Sequence, residues 1–104
     1  MEKVIRDGKV AILISSGYGA GWYSWNSDHP ELLFHPKLVE MVEQGREEEI
    51  NKDWVKENLG IDNVYCGGAS GLSIDWLPIG TAFMIEEYDG SETLITIDCF
   101  DLIA

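Results

Sequence analysis

Five consecutive apolar residues, Val10-Ala11-Ile12-Leu13-Ile14, follow Val4, Ile5 and an Asp7-Gly8 pair. Asp-Gly between apolar stretches is the strongest short-range hairpin signal, because the tight turn joining two strands needs positive φ at both central residues. A strand with one wet face alternates apolar and polar residues. Val10 to Ile14 does not, so both faces of this strand have to be covered, and it is expected to be a central strand.

The rest of the chain supplies elements to cover it. Pro36 opens a helical pattern at its first position, with Leu38, Val39, Met41 and Val42 as the apolar face and Gly45 as the stop. A second short helix is expected from an Asn51 cap through Trp54, Val55 and Leu59 to Gly60. Strands are then expected at 63–66, 72–77, 81–88 and 93–98. A Gly67-Gly68-Ala69-Ser70-Gly71 loop precedes the second of these, and a four-residue Asp89-Gly90-Ser91-Glu92 loop joins the last two. The order ββααββββ predicts an α+β fold with a mostly antiparallel sheet and a helical pair on one side. At 104 residues, 45% of them apolar, residues 1–104 are expected to form one domain.

Seven basic residues stand against 19 acidic ones, a net charge of −12. Such a balance argues against binding a nucleic-acid backbone or an anionic membrane, where Lys and Arg must replace counterions. No apolar run reaches the length of a membrane span. The opening Met-Glu-Lys-Val-Ile-Arg-Asp-Gly has no apolar stretch of the kind that directs export, so a cytoplasmic location is expected. In that compartment Cys66 and Cys99 are read as reduced, small hydrophobes. The charge is uneven. Every Lys and Arg lies in residues 1–56, whereas 57–104 hold nine acids and no basic residue. An acidic surface of this kind serves solubility and guards sheet edges, or it matches a basic partner.

Between Ser16 and His29 the chain changes character: Gly17, Gly19 and Gly21 alternate with Tyr18, Trp22, Tyr23 and Trp25, and Asn26 follows. The run lacks the third glycine and the immediate helix of a dinucleotide fingerprint, and it has no Gly-Lys-Ser/Thr of a phosphate loop. Two readings stay open. The aromatics cover one end of the sheet as core, or they form a ligand platform in which Tyr18, Trp22, Tyr23 and Trp25 stack on a planar base, Asn26 reads a polar edge, and the backbone at Gly19 and Gly21 approaches an anion closely. The second glycine loop, Cys66 to Gly71, has two readings as well: it faces the same cavity, or it is a tight turn between strands. Gly68-Ala69-Ser70-Gly71-Leu72 is not a nucleophile elbow. His29 and His35 lack zinc-site spacing and are read as turn or cap residues. Glu86 and Glu87, adjacent on a strand, point to opposite faces and cannot form a carboxylate dyad. No catalytic residue, metal site or cofactor is therefore assigned.

The segments Ile14-Ser-Ser-Gly-Tyr-Gly-Ala-Gly-Trp-Tyr-Ser-Trp-Asn26, Val64-Tyr-Cys-Gly-Gly-Ala69, Asp75-Trp-Leu-Pro-Ile-Gly-Thr-Ala-Phe83 and Glu87-Tyr-Asp-Gly-Ser-Glu92 resemble a family of small bacteriophage and prophage proteins. That resemblance implies an anti-defence setting in the host cytoplasm and carries over no catalytic residues. The expectation is a non-enzymatic sponge that sequesters a small nucleotide-derived ligand, such as a host immune second messenger. A homo-oligomer is expected to shield that anion from the acidic surface. The alternative is an acidic inhibitor or DNA mimic that blocks a host defence protein. A nucleotide-degrading enzyme is the weakest reading, because no nucleophile, base or metal set is recognisable.

Overall fold

The computed structural model describes residues 2–96 and 102–104. Strands β1 (Ile5–Arg6) and β2 (Lys9–Ser15) form the expected hairpin, with Asp7 at φ 52° and Gly8 at φ 75°. Positive φ at both positions matches the right-handed twist of the flanking strands, which is what selects Asp-Gly here. Strand β3 (Leu72–Pro78) pairs antiparallel along the whole other edge of β2, from Lys9 opposite Pro78 to Ser15 opposite Leu72. This gives a three-stranded sheet with β2 in the middle.

Both faces of β2 are covered, as its unbroken apolar run requires. Ala11 and Leu13 face one core cluster with Trp22, Leu32, Leu38, Val39, Val55 and Leu72. Helices α1 (Pro36–Glu43) and α2 (Lys52–Leu59) supply its outer wall. Val10, Ile12 and Ile14 face a second cluster containing Leu33, Phe34 and Phe83. That cluster belongs to a second antiparallel sheet, in which β4 (Ala82–Tyr88) lies between β5 (Ser91–Ile95) and β6 (Leu102–Ile103). The single α+β domain is thus built as helices, sheet, sheet. Val10, Ala11, Ile12 and Leu13 are each 0% exposed, and full burial of a Val, Leu or Ile side chain contributes about 1.5–3 kcal/mol.

The helix ends follow their sequence signals. Pro36 stands at the start of α1, and Lys37 N–H donates to His35 Nδ1 at 3.1 Å, so His35 is a cap. Asn51 Oδ1 accepts from Trp54 N–H at 2.9 Å and Gly60 ends α2 at φ 73°. Among the described residues no helix is long and apolar enough to cross a membrane.

The expected α+β fold of antiparallel strands with a helical pair on one side is found, its strands divided between two sheets because β2 needs a layer on each face. Two expectations are corrected. Residues 63–66 are not a strand: Asn63 sits at φ 62°, and the backbone of Tyr65 bonds the side chain of Asn26 and not a neighbouring strand. The loop at 89–92 is a two-residue turn, Asp89 at φ 54° and Gly90 at φ 86°, so Ser91 and Glu92 begin β5. The expected strand at 93–98 is described to Ile95, and residues 97 and 98 lie outside the described residues together with Cys99.

Candidate functional site

β2 ends at Ser15, and the glycine-aromatic segment begins there. It is held from across the molecule by Glu92, which is 2% exposed. One carboxylate oxygen accepts from Ser15 N–H at 2.8 Å. The other accepts from Trp22 N–H at 2.8 Å, Ser24 N–H at 2.9 Å and Ser24 Oγ at 2.6 Å. Successive backbone N–H groups turned toward one point make an anion-binding concavity. The anion in this one is the chain's own carboxylate, so the Trp22 and Ser24 amides are not free for a ligand.

Glu87 stands directly opposite Glu92 in the β4–β5 register. Two acids across a strand pair repel unless each finds donors. Glu87 finds them in Trp25 Nε1, at 2.8 Å, and Gly90 N–H, at 3.2 Å. Both carboxylates of this pair therefore grip the 16–26 segment. Glu92, with four donors, holds the loop from the interior, and Glu87, with two donors on one oxygen, holds it from the surface.

The glycines serve the same packing. Gly19 has φ 102°, and its N–H donates to Asp89 O at 2.7 Å. A Cβ on Gly21 would overlap Ser24 Oγ, and one on Gly90 would overlap the Ala20 backbone. A Cβ on Gly68 would stand 2.5 Å from Gly21 O, while Gly68 O accepts from Ser15 Oγ at 2.7 Å. The two glycine loops thus press backbone against backbone. Close approach is what the glycines permit, and the partner is the protein itself.

Of the residues expected to contact a ligand, Trp22 is fully buried, and its indole N–H donates to Leu32 O at 2.8 Å. It is core and has no face to offer a base. Tyr23 is half-buried between the two clusters. Asn26 donates to Trp22 O at 2.8 Å and Tyr65 O at 2.9 Å, and accepts from Tyr65 N–H at 2.9 Å. Its amide mimics a strand neighbour for Tyr65, and both of its N–H donors are engaged within the chain.

Tyr18 and Trp25 remain at the surface, 78% and 42% exposed. They are joined by two aromatics that the sequence did not single out. Tyr65 packs on Trp25 with ring centroids 5.1 Å apart and planes tilted by 37°. Tyr88, 77% exposed, precedes the Asp89-Gly90 turn that Gly19 binds. These contacts join Tyr65, Trp25, Glu87, the 89–90 turn and Gly19 into one ledge, with Tyr18 and Tyr88 exposed at the chain positions that flank the Gly19–Asp89 bond. No Lys or Arg occurs in 16–26 or in 57–104, so the segments that build the ledge contribute only acids as charged groups.

Elsewhere, His29 Nδ1 lies 3.4 Å from Glu31. Desolvation by burial, with the nearby Lys37 charge, holds the His35 pKa below its usual value. Burial pushes the Cys66 thiol up, and its sulfur lies 3.5 Å from Val64 O. Among the described residues no three His, Cys, Asp or Glu side chains are gathered to hold a metal ion. Comparison with protein families, with curated proteins and with solved structures finds no match for the chain.

Proposed function

We propose that the protein acts by binding and not by catalysis, as an acidic inhibitor that seats its aromatic ledge on the basic surface of a host defence protein in the host cytoplasm. The observation that carries this reading is the exposed Trp25–Tyr65 pair, bonded through Trp25 to Glu87, with the exposed Tyr18 and Tyr88 in the segments that adjoin it. Tyr and Trp are the residues that most often anchor protein interfaces, and a one-signed charged surround selects a partner of opposite sign. A nucleotide's phosphates would meet only like charge among the segments that form this ledge. The resemblance to small phage proteins supports the anti-defence setting.

The test is capture of host proteins on the intact chain, compared with a Tyr18→Ala/Tyr88→Ala variant. Both side chains are more than three-quarters exposed, so the variant keeps its unfolding midpoint. The reading expects a basic protein whose retention falls as ionic strength is raised past about 0.3 M, and falls in the variant at every salt concentration. Retention that ignores the two tyrosines overturns it. So does a ledge whose only occupant, by sedimentation, is a second copy of this chain. A second reading, sequestration of a small nucleotide-derived ligand, draws support from a separate cavity between α1 and α2 in which cations and an indole meet.

A further inference from the structure

All seven basic residues are confined to the chain's first 56 positions, and Lys37 and Arg46 meet the Trp54 indole in one groove. On α1 and its C-cap, Lys37, Glu40, Met41 and Gln44 follow i, i+3, i+4, i+7 spacing and share one face. On α2, Trp54 and Asn58 are one turn apart and share another. Together with Arg46, just beyond α1, these side chains line a groove of about 350 Å³, within the range of small-ligand pockets, roughly 300–1,000 Å³. None of them belongs to the ledge.

We infer that this groove binds a small planar anion of the mononucleotide class, a flat heteroaromatic ring carrying phosphate. The ring has a half-buried indole, Trp54, and the thioether of the buried Met41 as its apolar contacts. Around them stand groups able to read a base edge. Asn58 Nδ2 is engaged with Trp54 O at 2.9 Å, which leaves its amide oxygen as an acceptor. Gln44 Nε2 bonds Glu40 Oε1 at 3.1 Å, placing a paired donor and acceptor on the α1 side.

The two cations differ in readiness. Arg46 is clamped on Glu49 by Nε and Nη2, both at 2.8 Å, and its Nη1 reaches Gln44 Oε1 at 3.2 Å. Lys37 Nζ makes one bond, to Asn58 O at 3.2 Å. An ammonium has three donors, so Lys37 is the group that meets the phosphate, already drawn across the groove toward α2. Glu40 is the opposing charge. It admits one phosphate beside Lys37 more readily than a polyphosphate, and its carboxylate is an acceptor for ring N–H groups.

The inference gives the second reading of function its site and ligand class, and it is independent of the ledge. The experiment is calorimetric titration of the intact protein at low ionic strength with adenosine and guanosine 5′-monophosphates, adenosine, and inorganic phosphate, beside indole N–H NMR shifts. The expected result is that at least one mononucleotide binds about tenfold or more tightly than either adenosine or phosphate alone. The Trp54 indole resonance moves and that of Trp25 does not. Lys37→Glu weakens binding by at least about tenfold, and Lys37→Gln weakens it less, while Lys9→Glu leaves it unchanged.

Three results overturn the inference: no mononucleotide bound at about 1 mM, undiminished affinity in the Lys37 variants, or phosphate alone matching the nucleotides. A shift at Trp25 in place of Trp54 also overturns it, by putting the ligand on the ledge. Protein capture through Tyr18 and Tyr88 can succeed or fail whichever way the titration goes, so the two readings fail separately.

Discussion

Replacing Glu92 tests whether one buried side chain holds the ledge. In Glu92→Ala three backbone N–H groups, on Ser15, Trp22 and Ser24, lose their acceptor, while the Ser24 hydroxyl can rotate elsewhere. A buried donor left without a partner costs about 1–3 kcal/mol. Water entering the vacated space repairs some of the loss, so about 4–6 kcal/mol is expected, against a total of roughly 5–15 kcal/mol for a domain. Glu92→Gln keeps one oxygen. Its best placement is at the oxygen that serves Trp22 and Ser24, which turns the new NH₂ against Ser15 N–H. One bond is lost and the others lose their charge assistance, for about 2–3 kcal/mol. Urea unfolding followed by tryptophan fluorescence gives both values by linear extrapolation. Hydrogen exchange in the Gln variant should open the Ser15, Trp22 and Ser24 amides before the β2–β3 ladder. The reasoning is refuted if the Ala variant loses less than about 1 kcal/mol, or if Gln costs as much as Ala.

Other substitutions probe the same framework. Asn26→Asp keeps the acceptor for Tyr65 N–H but sets an oxygen against the Trp22 and Tyr65 carbonyls, so it should cost about 2 kcal/mol or more by thermal denaturation and release Tyr65 from Trp25. Gly68→Ala forces its Cβ to within 2.5 Å of Gly21 O and should cost about 1–3 kcal/mol. Gly17→Ala, with nothing within 4 Å, should stay within about 0.5 kcal/mol of the parent. His35 has a lowered pKa in the folded chain and accepts from Lys37 N–H only while neutral, so the unfolded chain binds the extra proton first. Its contribution is complete above the unfolded value near 6.5 and is lost as pH falls toward the folded one; a His35→Ala chain should show a flatter stability profile below about pH 6.5. Cys66, with its thiol pKa raised by burial, should react with iodoacetamide more slowly than a small-peptide thiol at pH 8.

What the sequence makes legible here is local. The Asp7-Gly8 turn, the Pro36 and Asn51 helix starts and the Gly45 and Gly60 stops depend on residues within a turn of one another, and each stands where its chemistry predicts. The unalternated Val10 to Ile14 run also gives a correct long-range inference, since burial on two faces leaves no other pattern open. What fails is decided by partners distant in sequence. Residues 63–66 read as a strand because nothing nearby shows that the Asn26 amide, 39 residues away, takes the place of a neighbouring backbone. Glu92 looks like a loop acid until the turn is seen to have two residues, which carries it into β5 opposite Glu87. One signal was available: acids that fall opposite each other in a hairpin imply donors arriving from outside it. Of the aromatics in the glycine segment, composition alone cannot say which turns inward. Trp22 does so because its indole finds Leu32 O, whereas Trp25 reaches Glu87 at the surface.

The clamp on Glu92 also orders events in time. Ser15 and Glu92 are 77 residues apart, so closing that contact requires nearly the whole chain to have gathered, and long-range closure is slow compared with forming the first hairpin or the helices. On a ribosome, the aromatic segment emerges well before the carboxylate that will hold it. Until β5 arrives, Trp22 and Trp25 are sticky side chains on an unsatisfied backbone, the condition in which chains aggregate. The exposed surface that Trp25 and Tyr65 share therefore comes into being only after the β4–β5 hairpin has docked.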